Sequence, residues 1–113
     1  MAPTRWPISV HWFLPTGGDS RDVVPSGPEG SRPPSHSYLA QVATACDQLG
    51  FDAVLTPCGT GCEDAWIATA SLIAVTQRLR FLVAFRPGLI NPTQAAQMAA
   101  TYQAMSGDRL MVN

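Results

Sequence analysis

Phe51-Asp-Ala-Val-Leu-Thr56 is a short β-branched run, and Cys58-Gly-Thr-Gly-Cys62-Glu-Asp-Ala-Trp66 carries it directly into an amphipathic helical pattern. That junction decides the fold class. Glycines let the chain turn tightly after a strand, and Glu63 and Asp64 put negative charge where a helix macrodipole favours it. On this reading Cys62 sits at an electropositive helix start, a setting that lowers a thiol pKa.

Outward from the junction, strand and helix signals alternate. Residues 8–14 are apolar and aromatic up to Pro15, the first strand. Tyr38, Leu39, Val42, Ala43, Cys46 and Leu49 recur at helical spacing, so the first helix spans 37–49 with Gly50 as its stop. Cys46 lies on the apolar stripe and reads as a core thiol. The second strand is 51–56, the second helix 63–77 and the third strand 79–85, whose near-continuous apolarity suits a sheet covered on both faces. Asn91-Pro92 opens a third helix with a cap and a proline, and Ser106-Gly107 closes it. Residues 109–113 form a fourth strand.

A βαβαβαβ order of this kind implies parallel strands joined by right-handed crossovers. A dinucleotide-binding sheet would need a glycine fingerprint after the first strand. Pro15-Thr-Gly-Gly-Asp19 does not supply one. The expected fold is therefore α/β, the N-terminal half of a (β/α)₈ barrel with four parallel strands and three helices. Eight such units need roughly 250 residues, so residues 1–113 are expected to form one incomplete domain, with the barrel open after the fourth strand.

Between the first strand and the first helix, residues 16–35 are rich in Gly, Pro, Ser and charge, including Pro25, Gly27, Pro28, Gly30, Pro33 and Pro34. Such a segment predicts no regular structure. Its length fits either a loop at the mouth of an active site or a surface excursion.

Composition excludes several function classes. A net charge of −1, with all seven basic residues arginine and scattered, gives no footprint for nucleic acid or an anionic membrane. Three cysteines at spacings of twelve and four are no secreted disulfide framework, which favours reduced thiols and a cytoplasmic setting. No apolar run reaches membrane-spanning length and no leader is recognisable. A Cys58–Cys62 pair supplies only two ligands, so no metal site is expected. His11 alternates with Val10 and Trp12 on the first strand, and its face is open at this level. His36 is expected at the surface.

Trp12-Phe-Leu-Pro-Thr-Gly-Gly-Asp19, Glu29-Gly-Ser-Arg-Pro33, Cys62-Glu-Asp-Ala-Trp66, Val75-Thr-Gln-Arg-Leu79, Phe81-Leu-Val-Ala84 and Arg86-Pro87 together resemble the N-terminal part of the flavin-dependent alkanesulfonate monooxygenases, in the bacterial-luciferase-like superfamily. The resemblance runs through the whole chain in order, and the Cys-Glu-Asp-Ala-Trp block separates this subfamily from most luciferase-like proteins. It implies an enzyme that takes reduced FMN from a separate NAD(P)H-dependent reductase, activates dioxygen on the flavin and cleaves an alkanesulfonate to aldehyde and sulfite. A homo-oligomer is implied as well. The alternatives are another luciferase-like oxidoreductase using flavin or deazaflavin, and a non-catalytic fragment.

By the same resemblance, Cys62 is the active-site cysteine, polarising or hydrogen-bonding because the flavin performs the oxidation. Ala84 and Phe85 match the place where luciferase-like barrels pack backbone against the isoalloxazine, often through a non-proline cis peptide that costs about 3–4 kcal/mol. Asn113 matches the polar residue that approaches the flavin at the end of the fourth strand. Family residues that grip the flavin phosphate and the sulfonate correspond to positions beyond Asn113. The 113 residues alone are accordingly not expected to turn over. Four strands cannot close a barrel, and the fourth is expected to present an unpaired apolar edge.

Overall fold

The computed structural model describes residues 7–23 and 31–113. Residues 1–6 and 24–30, the latter carrying Pro25, Gly27, Pro28 and most of the Glu29 motif's start, lie outside the described residues.

Four strands form one parallel sheet: β1 (His11–Phe13), β4 (Ala53–Thr56), β5 (Arg80–Val83) and β6 (Leu110–Val112), in the order β1-β4-β5-β6. Spatial order equals chain order, as in a barrel wall and unlike a doubly wound sheet with its first strand inside. Three helices, α1 (His36–Leu49), α2 (Ala65–Ala70) and α3 (Pro92–Ser106), fill the crossovers. Mixed α/β architecture with four parallel strands and three helices is thus the observed class, compatible with part of a (β/α)₈ barrel.

Register sorts the side chains. Trp12, Val54, Phe81 and Leu110 are paired across the sheet, as are Phe13, Leu55, Leu82 and Met111. Val54, Phe81 and Leu110 of the first row, with Leu14 and Val83, meet Leu39, Ala43 and Cys46 of α1, Trp66 of α2 and Tyr102 of α3 in the core, while Trp12 at the sheet edge stays outside it, its ring against Phe51. The second row lies outside that core, and its Phe13 is 51% exposed. His11, paired with Ala53, shares the second face, which settles the alternation along the first strand. Its Nε2 lies 2.9 Å from Ser9 Oγ. His36 is at the surface as expected, with Nε2 3.3 Å from the Ser71 carbonyl.

Cap chemistry sets the helix ends. Ser35 accepts from Tyr38 N–H at the start of α1, and Gly50 ends it at φ 83°. Asn91 accepts from Thr93 N–H with Pro92 at the first helical position.

Three expectations need correction. The helix read over 63–77 is six residues long, followed by a separate 3₁₀ turn, Ile73–Val75. Thr69 Oγ1 donates to the Ala65 carbonyl, Ser71 Oγ to the Ala68 carbonyl and Thr76 Oγ1 to the Leu72 carbonyl, which is the competition that makes hydroxyl residues poor in helix interiors. Next, the 16–35 segment does contain regular structure, an antiparallel pair of β2 (Asp19–Ser20) and β3 (Ser31–Arg32). Its anchor is Asp19, whose carboxylate accepts from Arg32 Nε and from the Tyr38 hydroxyl, each at 2.6 Å, while the Arg32 guanidinium lies over the Tyr38 ring. Finally, no described peptide is cis. Ala84 N–H donates to the Thr56 carbonyl and Phe85 N–H to the Asn113 carbonyl. The bond between them stays in extended ladder geometry, where trans is the lower state.

Candidate active site at the strand ends

The C-terminal ends of the parallel strands bring the sequence-derived residues into one region. After β1, the Thr16 carbonyl accepts from Glu63 N–H at 2.9 Å, which ties the first loop to the second. Gly17 permits the approach: a Cβ there would lie 3.0 Å from the Gly61 carbonyl oxygen and 3.5 Å from Cys62 Sγ. Cys62 is half-buried against this glycine, and its N–H donates to the Gly59 carbonyl. Asp64 is the helix cap, accepting from Ile67 N–H at 2.8 Å, so Cys62 and Glu63 precede α2 and the first turn holds no acidic residue. The electropositive helix start expected around Cys62 is therefore not formed, because the capping position falls two residues later.

A cleft of about 330 Å³ opens beside that loop, lined by Cys58, Asp64, Trp66, Ala84, Phe85 and Arg86, with Leu89 and Ile90 at its far wall. Of the site residues read from the sequence, Ala84 and Phe85 line this cleft. Asn113 is exposed and joins it through its carbonyl to Phe85 and its N–H to Val83. Cys62 does not line it; Cys58 does. The remaining cleft residues, Trp66, Leu89, Ile90 and Arg86, went unassigned in sequence reading. The Trp66 ring packs edge-on against Phe85 (6.3 Å) and Tyr102 (6.4 Å). Arg86 donates to the Cys58 carbonyl at 3.4 Å, linking the loops that follow β4 and β5.

Two hydroxyls in this region, Thr16 Oγ1 and Thr56 Oγ1, are fully buried without a hydrogen-bond partner. Such groups are uncommon in native structures and costly. Among the described residues no cluster of His, Cys, Asp and Glu could hold a metal ion. Cys46 is buried in the core, and burial pushes its thiol pKa up.

A family model for luciferase-like monooxygenases matches residues 8–113. The chain belongs to that family, whose members are flavin-dependent oxidoreductases using flavin or deazaflavin cofactors. No helix among the described residues is long and apolar enough to cross a membrane.

Proposed function

We propose that this chain supplies the first half of an alkanesulfonate monooxygenase that uses reduced FMN and dioxygen to release an aldehyde and sulfite. The observation that carries the reading is the cleft at the C-terminal strand ends, the end where (β/α)₈ enzymes place their chemistry. Support for the substrate class comes from the Cys62-Glu-Asp-Ala-Trp66 block, which the structure folds as one loop and helix start beside that cleft.

The residues present suit the flat ring of a flavin. Ala84 is small, Phe85, Trp66 and Ile90 are apolar, and the volume falls in the range of small-molecule sites. When bound there, reduced FMN would supply the electrons that activate dioxygen. Ala84 and Phe85 would hold the ring by backbone and apolar contact, with Asn113 fixing the strand end through its bonds to Val83 and Phe85. Cys62 would contribute a positioned S–H at the loop edge rather than a nucleophile. Apolar walls would limit the water that reaches the reacting groups once the cleft is covered. A separate NAD(P)H-dependent reductase would deliver the reduced flavin, and a homo-oligomer would be the working assembly, in the cytoplasm.

The test is a protein in which these residues form the first half of a closed eight-stranded barrel, given reduced FMN, dioxygen and a short alkanesulfonate, with sulfite measured. Sulfite release is expected. Cys62→Ala should lower turnover or flavin affinity by about 1 kcal/mol without unfolding the protein. Flavin oxidation without sulfite, for every sulfonate offered, would remove the substrate assignment.

A further inference from the structure

The turn after β1, against which Cys62 rests, is held at both ends. At its near end Leu14 N–H donates to the Leu55 carbonyl, and Gly18 N–H closes the turn on the Pro15 carbonyl, both at 2.9 Å. Within it the Thr16 carbonyl takes the Glu63 N–H, and Gly17 forms the wall beside Cys62 Sγ. The far end is Asp19, whose two carboxylate oxygens are both in use: Oδ1 accepts from Arg32 Nε and Oδ2 from the Tyr38 hydroxyl, each at 2.6 Å. Charge-assisted bonds of this kind are roughly twice as strong as neutral ones. Burial, followed by the Asp19 carboxylate, pushes the Tyr38 pKa up, which keeps its hydroxyl protonated as a donor. Arg32 is held in turn, through a second bond to the Ser20 carbonyl at 3.3 Å and by lying over the Tyr38 ring. Gly18 leaves no slack between this cluster and the turn: at φ 80° a Cβ there would meet the Arg32 carbonyl oxygen at 2.7 Å.

We propose that Asp19, Arg32 and Tyr38 are positioning residues for Cys62: by holding β2 and β3 to α1 they set where the Gly17 wall stands, and with it how far the thiol is open. The assignment rests on the reading of Cys62 as a site residue. None of the three lines the strand-end cleft, so they act through another residue and not on a ligand. Only Gly18 separates Asp19 from Gly17, which makes the link short and stiff. Cys58 lies outside it: on the cleft side of the same loop, its carbonyl accepts from Arg86 at 3.4 Å. The cluster should therefore govern one thiol of the loop and not the other.

The thiol itself is the readout, without flavin or substrate. Alkylation rates of Cys46, Cys58 and Cys62 are followed together by peptide mass spectrometry, in the parent protein and in variants of the cluster. Asp19→Asn removes the charge and one acceptor, and should speed Cys62 by roughly three- to fivefold with Cys58 unchanged; Tyr38→Phe should speed it by roughly twofold. Arg32→Gln should resemble Asp19→Asn, and Arg32→Lys, which keeps the charge, should recover part of the effect. Asp19→Asn/Tyr38→Phe should be no faster than Asp19→Asn alone, because both act through one carboxylate. Cys46 remaining the slowest thiol shows that the core is folded, and Tyr38→Phe, which deletes one hydroxyl and keeps the ring, carries the test if Asp19→Asn unfolds. A Cys62 rate unchanged in every folded variant, or Cys58 accelerating as much as Cys62, overturns the proposal. Variants that shift Cys62 while the closed barrel releases no sulfite leave the positioning standing and the substrate reading failed; sulfite release with Cys62 unmoved does the reverse.

Discussion

At the N-terminal ends of the parallel strands, charged side chains hold backbone in place; at the C-terminal ends, apart from the Asp19 anchor and the Asp64 cap, several polar groups are loosely tied or unpaired. Asp47 accepts from the N–H groups of Gln77, Arg78 and Leu79 at 2.7 to 2.9 Å, pinning the chain just before β5. Asp52 accepts from Val10 N–H at 2.8 Å just before β1, and that bond is the main cause holding its carboxyl below the usual range. Arg109, 8% exposed and just before β6, donates to the carbonyls of Ser106, Leu79 and Ile73 and to Thr76 Oγ1, with its guanidinium over the Phe81 ring. Opposite them lie the 3.4 Å contact of Arg86, the open cleft and the orphaned hydroxyls of Thr16 and Thr56. Side-chain bonds to backbone gather before the strands, and the open cleft and the unpaired hydroxyls lie after them.

The strongest way to break this comparison is Arg109→Ala. It would strand several buried acceptors and open a void beside Phe81, so unfolding free energy should fall by about 3 kcal/mol. Chemical denaturation measures it; a loss no larger than that of a surface substitution would mean the N-terminal end is not the stabilised one.

Asp47→Ala should follow, at about 2 kcal/mol, for the loss of three bonds to a partly exposed carboxylate. Burial pushes this carboxyl up, but the three backbone N–H groups outweigh it and hold the group below its usual value. A depressed folded pKa makes the contribution complete above the unfolded value of about 4 and progressively lost as pH falls below it. Denaturation midpoints taken from neutral to acid pH should show a steeper acid loss in the parent than in Asp47→Ala. Parallel curves would refute the role.

At the other end the sign reverses. Thr56→Val and Thr16→Val each remove a buried hydroxyl that has no partner, so each should be neutral or stabilising by up to about 1 kcal/mol. A clear destabilisation would show that these hydroxyls are paired in solution.

The smallest effect is kinetic. Under native conditions Cys58 and Cys62, both half-buried at the strand ends, should alkylate before Cys46, which is buried and has its thiol pKa pushed up. Peptide mass spectrometry reads the order, and Cys46 reacting first would contradict the described core.

Much of the wall was legible in local chemistry. Asn91-Pro92, Gly50 and the apolar run 79–85 each announce an element boundary from neighbouring residues alone, and the elements follow within a few positions. Where reading failed, the deciding interaction was a side-chain bond that apolar periodicity does not show, some local and some between residues distant in sequence. The helix over 63–77 was broken by hydroxyls that found carbonyls one turn back, and the β2–β3 pair depends on Asp19 meeting Arg32 and Tyr38. Arg109 looked like a strand's first residue, and nothing in its neighbourhood tells that Ile73 and Thr76 surround it. The site divides likewise. Ala84 and Phe85 sit where a strand end puts them, whereas the place of Arg86 in the cleft wall, and of Cys62 against Gly17, depends on loops from separate crossovers.

The sheet's chain-order sequence of strands has a further consequence for how such a molecule is made. Within the parallel sheet each strand pairs with the sheet strand that precedes it in the chain, so a segment leaving the ribosome has its earlier partner already synthesised. Each ladder closes over a single crossover, the longest being the β1–β4 connection that carries the β2–β3 pair. Synthesis supplies the strands in the order in which they lie, β1, β4, β5 and β6, and the last made is an edge of the sheet.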